Sequence, residues 1–197
     1  MGLDLEYTEG QTPINEDEKD GLKIRSISTM EELDEFEQQN IEEAMEWAYG
    51  RSFTPEQVLE VKFIQSVHKR MFKHVWKWAG EFRASEKNLG VPYYAIRQHL
   101  NTLLDDCQFW IKHETFSPEE IAIRFKHRMV SIHLFPNGNG RHSRLMADIL
   151  LKALDDSQTF TWGRKTLRRG IDRSVYLKAL RAADDGNIEP LVEFSKS

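Results

Sequence analysis

His133-Leu134-Phe135-Pro136-Asn137-Gly138-Asn139-Gly140-Arg141-His142-Ser143-Arg144 joins two apolar runs of helical period. The histidine ends the first run, glycines flank an asparagine in the turn, and arginines open the second. A helix N-terminus leaves backbone N–H groups unpaired and carries partial positive charge, so it attracts anions. Cations in a first turn oppose that field, yet Arg141 and Arg144 stand there with His142 between them. Local rules are broken in this way at functional sites. The simplest compensation is a polyanionic ligand, and nucleotide phosphates fit best. Gly138 and Gly140 admit backbone conformations closed to other residues, Asn139 tolerates the left-handed region, and successive amides in such a turn form an anion-binding nest.

Around this loop the sequence reads as helices. Ser28 with Glu31 and Thr29 with Glu32 form two overlapping capping boxes, which predict a helix ending at Tyr49 before Gly50. Thr54-Pro55-Glu56-Gln57 starts another, whose apolar residues continue to Trp78 and stop at Gly80. Residues 82–94 break the period, and Asn88-Leu89-Gly90 with Pro92 predicts a short irregular hairpin. Helical period returns from Ile96 to Ile111 and, after Ser117-Pro118, up to His133. Further helices are predicted from about Arg141 to Leu154, from about Arg173 to Asp184, and from about Ile188 to Phe194. Residues 1 to about 25 read as an extended arm with turns. The expected architecture is all-α with one small β-hairpin, divided into an arm and first helix (1–50) and a core domain (51–197).

The 197 residues are 40% hydrophobic and 30% charged, the balance of a globular chain. A net charge of −5 speaks against nonspecific binding to nucleic acid or anionic membrane. A single cysteine excludes an internal disulfide framework, and Cys107 falls on an apolar helical stripe as a core thiol. The N-terminus lacks a secretory pattern and no segment is long and apolar enough to span a bilayer, so a cytoplasmic location is the default expectation. The loop is neither a Walker A motif nor a dinucleotide fingerprint. His68, His74, His99, His113 and His127 lack metal-like spacing to Cys, Asp or Glu partners.

His133-x-Phe135-x-x-Gly138-Asn139-Gly140-Arg141-x-x-Arg144 resembles the signature of the Fic/Doc family. Trp76-Lys77-Trp78-Ala79-Gly80-Glu81-Phe82-Arg83 looks like that family's helix-to-flap junction. Most of the chain, including Trp162-Gly163 and the segment from Leu180 to Asn187, is similar to the subgroup labelled mobile mystery protein B. The resemblance implies a Fic-type helical bundle with a flap, and transfer of AMP from ATP to a Tyr, Thr or Ser hydroxyl of a target protein or of the chain itself. His133 would be the general base, a role suited to imidazole. Phe135 would anchor the loop. The backbone of Gly138, Asn139 and Gly140 would hold the α- and β-phosphates, Arg141 would offset charge on the leaving pyrophosphate, and Arg144 would grip the γ-phosphate. Mg2+ would bridge the phosphates. Asn137 stands where many members place a metal-holding carboxylate, so an amide oxygen would be the ligand there. Glu86, Lys87, Asn88, Leu89, Gly90 and Val91 would form the flap that pairs with an extended target segment. The motif alone leaves open transfer of another nucleotide, or a nucleotide-binding interaction module with little turnover.

Many family members carry a helix whose glutamate blocks the γ-phosphate site. Its usual sequence pattern does not occur here, but Glu37 shares a helical stripe with Leu33, Ile41, Ala44 and Ala48. A carboxylate on an apolar face needs a partner. Arg144 is the expected one, in an inhibitory pairing; an edge salt bridge to Arg51 or Lys62 is the alternative.

Overall fold

The structure is a computed structural model that describes residues 12–156, 160–162 and 169–197. Its first elements are a single turn α1 (Glu16–Lys19) and the long α2 (Met30–Tyr49). Of the two overlapping boxes, the Thr29–Glu32 one forms. Thr29 Oγ1 accepts from the Glu32 amide at 3.2 Å, and the Glu32 carboxylate accepts from the amides of both Ser28 and Thr29. Glu31 is therefore not drawn into a second box. The helix buries Leu33, Glu37, Asn40, Ile41, Ala44 and Ala48, which is the stripe expected from the sequence with Asn40 added.

The helix expected to run unbroken to Trp78 is in fact two. α3 (Pro55–Val58) stops after one turn, Glu60 is extended, and α4 (Val61–Phe72) starts afresh. A continuous helix would spread Val58, Leu59, Val61 and Ile64 around its circumference. The break lets Val58, Leu59 and Ile64 all become buried. After Phe72 the chain turns instead of coiling further, which buries Val75, Trp76 and Ala79. Trp76 forms an antiparallel bridge with Leu22, tying the N-terminal segment to this stretch.

The predicted hairpin is absent. Among the described residues there are no strands, and residues 82–92 form a bent, extended excursion. The backbone amides of Arg83 and Val91 bond to the Leu134 and Ile132 carbonyls beneath rather than across the excursion, so no ladder forms within it. A 3-10 turn (Tyr93–Ala95) leads into α5 (Ile96–Lys112), followed by α6 (Pro118–Ile132), α7 (Asn139–Leu154), α8 (Arg169–Asp184) and α9 (Glu189–Lys196). α7 begins two residues before the expected start, and α8 four before.

α7 is the central helix. Residues on every side of it are buried, among them His142, Leu145, Met146, Ala147, Ile149 and Leu150, the mark of a helix surrounded by others. α6 packs along it, and α2, α3 and α4 cover its other side. A second apolar cluster joins Ala122, Ile123, Ala147 and Leu151 to Ala179, Leu191 and Phe194 of the last two helices. The loop between α6 and α7 thus emerges at one end of the bundle, framed by α2, α4 and the 82–92 excursion. No helix among the described residues is long and apolar enough to cross a membrane.

Candidate active site

α6 ends on His133, whose backbone is left-handed at φ 59° and ψ 66°. That conformation costs a side-chain-bearing residue about 1–2 kcal/mol, so neighbouring groups must fix it. Arg83 does so. Its Nε donates to the His133 carbonyl at 2.7 Å and its backbone amide to the Leu134 carbonyl at 3.0 Å. Its guanidinium also reaches the carbonyls of Ser85 and Val91, and the whole side chain is buried. The Val91 amide donates to the Ile132 carbonyl at 3.3 Å, so the 82–92 excursion lies directly on the histidine's backbone.

The rest of the loop is held from below. Phe135 is fully buried and stacks on the His68 ring at 3.7 Å. His68 Nδ1 accepts from the Gly80 amide at 3.0 Å, so the ring proton sits on Nε2, which donates to the Asn137 carbonyl at 3.1 Å. Asn139 clamps the turn: its amide oxygen accepts from Phe135 N–H at 2.9 Å and its amide nitrogen donates to the Phe135 carbonyl at 2.8 Å. The two glycines differ in purpose. Gly138 has φ 77° and a Cβ there would strike the Phe72 ring at 2.4 Å, so the fold itself demands glycine. At Gly140 a Cβ would meet nothing within 4 Å. The space over Gly140 is open, and the amides of Asn139, Gly140 and Arg141 form a first helical turn with no intrahelical acceptor.

The His133 ring is buried, which pushes its pKa down to about 4, with the cations Arg83 and Lys87 adding to the effect. It is therefore neutral at pH 7 and able to take a proton. Its Nε2 lies 3.3 Å from the hydroxyl of Thr12, in the N-terminal arm.

Arg141, not Arg144, is the partner of Glu37. Arg141 Nη2 meets Glu37 Oε2 at 2.6 Å, while the other carboxylate oxygen accepts from Trp76 Nε1 at 2.5 Å. α2 crosses at the level of the first turn of α7, one turn short of where the expected contact with Arg144 requires it. Neither Arg51 nor Lys62 bonds to Glu37; Arg51 Nη1 donates to the Trp47 carbonyl. Arg144 sits farther along, half-buried, with its guanidinium 6.0 Å from the Tyr176 ring. The Tyr176 hydroxyl accepts from the buried Lys126 at 2.7 Å.

Asn137 turns its amide oxygen onto the Gly138 N–H at 2.5 Å and donates its nitrogen to the Thr12 carbonyl at 3.1 Å. Both ends of the amide are engaged, and no group of three or more His, Cys, Asp or Glu among the described residues could hold a metal. The Asn137 amide oxygen keeps a second lone pair, so it would offer a metal one neutral donor. In the excursion, Lys87 points inward to Glu18 at 2.5 Å and to the Pro13 carbonyl, Glu86 sits at the rim 3.8 Å from Arg83, and Leu89 is half-exposed.

One groove of about 1500 Å3 gathers Glu37, Asn88, Leu89, Gly90, His133, Asn137, Gly138, Asn139, Gly140, Arg141 and Arg144. Sequence reasoning missed the roles of Arg83, His68, Trp76 and Thr12. Arg83 closes the quoted Trp76–Arg83 segment, where an arginine followed by an apolar-poor turn hints at a backbone clamp. Thr12 gave no signal.

Residues 58–151 match the Fic/DOC family model. The chain is 27% identical over 158 residues to the Protein adenylyltransferase Fic of Aedes aegypti, covering 78% of this chain and 30% of that protein. It thus spans under a third of that curated relative. The BepC protein of Bartonella tribocorum, solved with bound AMPPNP, superposes with a TM-score of 0.69 at 16% identity, covering 92% of this chain and 97% of that one. The N-terminal FIC domain of Bep8 from Bartonella sp. 1-1C gives 0.70 at 16% identity, with 90% of each chain covered. These solved structures share the fold, and the segment that matches the Fic/DOC family model carries His133, the loop and both arginines of the groove.

Proposed function

We propose that the groove transfers AMP from ATP to a hydroxyl of a protein. The observation that carries this reading is the placement of a neutral imidazole beside an open helix N-terminus and its two arginines, all in one groove. The name of the Aedes aegypti relative and the AMPPNP bound to BepC support it. His133 Nε2 takes the proton of the acceptor hydroxyl, whose oxygen attacks the α-phosphorus. The bond to the β-phosphate breaks and pyrophosphate leaves. The amides of the first turn of α7 hold the phosphates in the space left over Gly140. Arg141 neutralises charge developing on the leaving group and Arg144 holds the distal phosphate. Mg2+ arrives with the triphosphate rather than through a site of the protein. The Glu37–Arg141 pair keeps basal activity low, because a guanidinium bound to a carboxylate is not free to bind phosphate.

A second reading, a nucleotide-binding module with little turnover, draws on Asn137, which supplies no negative charge for a metal and spends its oxygen on Gly138. Incubation of the wild-type protein and of Glu37→Gly with α-labelled and γ-labelled ATP separates the two. The expected result is protein label from the α-phosphate alone, stronger in Glu37→Gly and lost in His133→Ala. Label from the γ-phosphate alone, or measurable binding with neither label, overturns the transfer reading.

A further inference from the structure

We propose that Thr12 is the chain's own acceptor, so that the N-terminal arm is the first substrate of the site. The inference rests on the transfer reading of the same groove. Thr12 Oγ1 stands 3.3 Å from His133 Nε2, the atom to which an acceptor hydroxyl must surrender its proton. The contact spans 121 positions of sequence, so it is no by-product of a local turn.

The arm is held there by groups on both sides of the groove. Asn137 Nδ2 donates to the Thr12 carbonyl at 3.1 Å, and Lys87 Nζ donates to the next carbonyl, Pro13, at 2.9 Å. Ile14 is buried and serves as the apolar anchor. Downstream, Glu18 pairs with Lys87 at 2.5 Å and accepts from the Ser85 hydroxyl at 3.1 Å, while Asn15 Nδ2 donates to that same hydroxyl at 3.3 Å. Main-chain carbonyls and one buried side chain fix the register. That leaves a primary feature of an acceptor segment, a hydroxyl presented to the base. Thr12 and the residues proposed to hold the phosphates, Gly138, Gly140, Arg141 and Arg144, border the same groove.

The step balances with ATP as the only co-reactant. The Thr12 O–H proton passes to His133 Nε2, the oxygen forms a bond to the α-phosphorus, and the bond from that phosphorus to the β-phosphate oxygen breaks. The products are an adenylyl-threonine phosphodiester and pyrophosphate. An adenylyl group on Thr12 cannot remain between His133 and Asn137 in the present fit, so modification expels the arm and opens the groove to other hydroxyls.

The test uses the full chain and its Glu37→Gly variant with Mg2+ and α-labelled ATP, read by peptide mass spectrometry and by label in an added cell lysate. The expected result is one adenylyl group on the peptide containing Thr12, at a rate independent of protein concentration. Thr12→Ser retains it, and Thr12→Val drops to the His133→Ala background. Label on lysate proteins or on other residues, with none on Thr12, overturns the acceptor role and leaves the transfer reading standing. A rate on Thr12 that rises with protein concentration overturns the intramolecular arm. Absence of label everywhere overturns both readings.

Discussion

Replacing Glu37 by glutamine should tighten ATP binding at the expense of little stability. The carboxylate is buried, and it holds Arg141 at 2.6 Å and Trp76 at 2.5 Å. A hydrogen bond between charged groups contributes about 1.5–3 kcal/mol. Phosphate must displace that bond before it can use the same guanidinium. Removing the negative charge therefore returns about 1.5–3 kcal/mol to nucleotide binding, roughly a 10- to 150-fold fall in Kd. Glutamine keeps the side-chain volume, the helical backbone of α2 and an oxygen for the Trp76 N–H. Breaking a buried ion pair costs about 3–5 kcal/mol when the surviving charge is trapped. Arg141 is not trapped, since 29% of its side chain is exposed in the groove, so the loss should fall well below that range. Titration calorimetry with a non-hydrolysable ATP analogue at physiological salt measures the change, and adenosine provides the control. A latch on Arg141 raises affinity for the phosphate-bearing ligand and leaves adenosine unmoved; a structural salt bridge moves neither. Equal Kd values for wild type, Glu37→Gln and Glu37→Gly, in proteins with intact circular dichroism, would refute the latch.

Acidification should unfold the protein earlier than its carboxylates alone would. His133 and His142 have pKa values lowered to about 4 and about 3, both mainly by burial. Below pH 6.5 the unfolded chain binds protons that the folded chain refuses, so stability present above pH 6.5 is lost as pH falls toward those values. Between pH 7 and 5 each contributes a loss of about 2 kcal/mol, and an unchanged urea midpoint over that interval would exclude it. The same shift places the acid limb of any transfer activity near pH 4 rather than 6.5, which a pH–rate profile checks. Asn139→Ala removes both ends of the clamp on Phe135 and leaves a buried N–H and C=O unpaired, at a cost of roughly 2–5 kcal/mol. Urea denaturation reads this directly, and a loss under 1 kcal/mol would mean that the clamp is idle.

The helices and the loop were legible because their signals are local. Thr29 with Glu32, Thr54 with Pro55, and Ser117 with Pro118 each announce a helix start within four residues, and each forms a cap. The buried face of α2, Glu37 included, followed from periodicity alone. The partner of Glu37 did not. Arg141 and Arg144 lie three residues apart on one side of α7, about 4.5 Å along its axis. Periodicity on α2 fixes its rotation but not how far it slides along its neighbour. The break at Leu59 and the end of α4 at Phe72 were hidden for a related reason. The apolar residues from Val58 to Val75 recur densely enough to suggest one helix, and only the space around α7 decides that a broken path buries Val58, Leu59 and Val75 together. The predicted hairpin misled because turn residues state that the chain bends, not what its amides bond to. In this protein they go to Ile132 and Leu134.

That bonding pattern bears on how a target would be read. Gly90 has φ 101°, and a Cβ there would come within 2.5 Å of the His133 Cβ and 2.9 Å of both Arg83 Nη2 and the Ile132 carbonyl. The excursion and His133 are thus in van der Waals contact through a residue with no side chain, and Arg83 bonds to both. Under the proposed transfer reading, a segment laid on residues 86–91 would sit against the His133 side chain across that glycine. Lys87 holds the carbonyl of Pro13, one residue from the hydroxyl at His133. Target recognition through such main-chain bonds would rest on where a carbonyl sits relative to a hydroxyl, not on the side chains around it. A chain of different sequence but the same carbonyl-to-hydroxyl spacing would satisfy the same contacts.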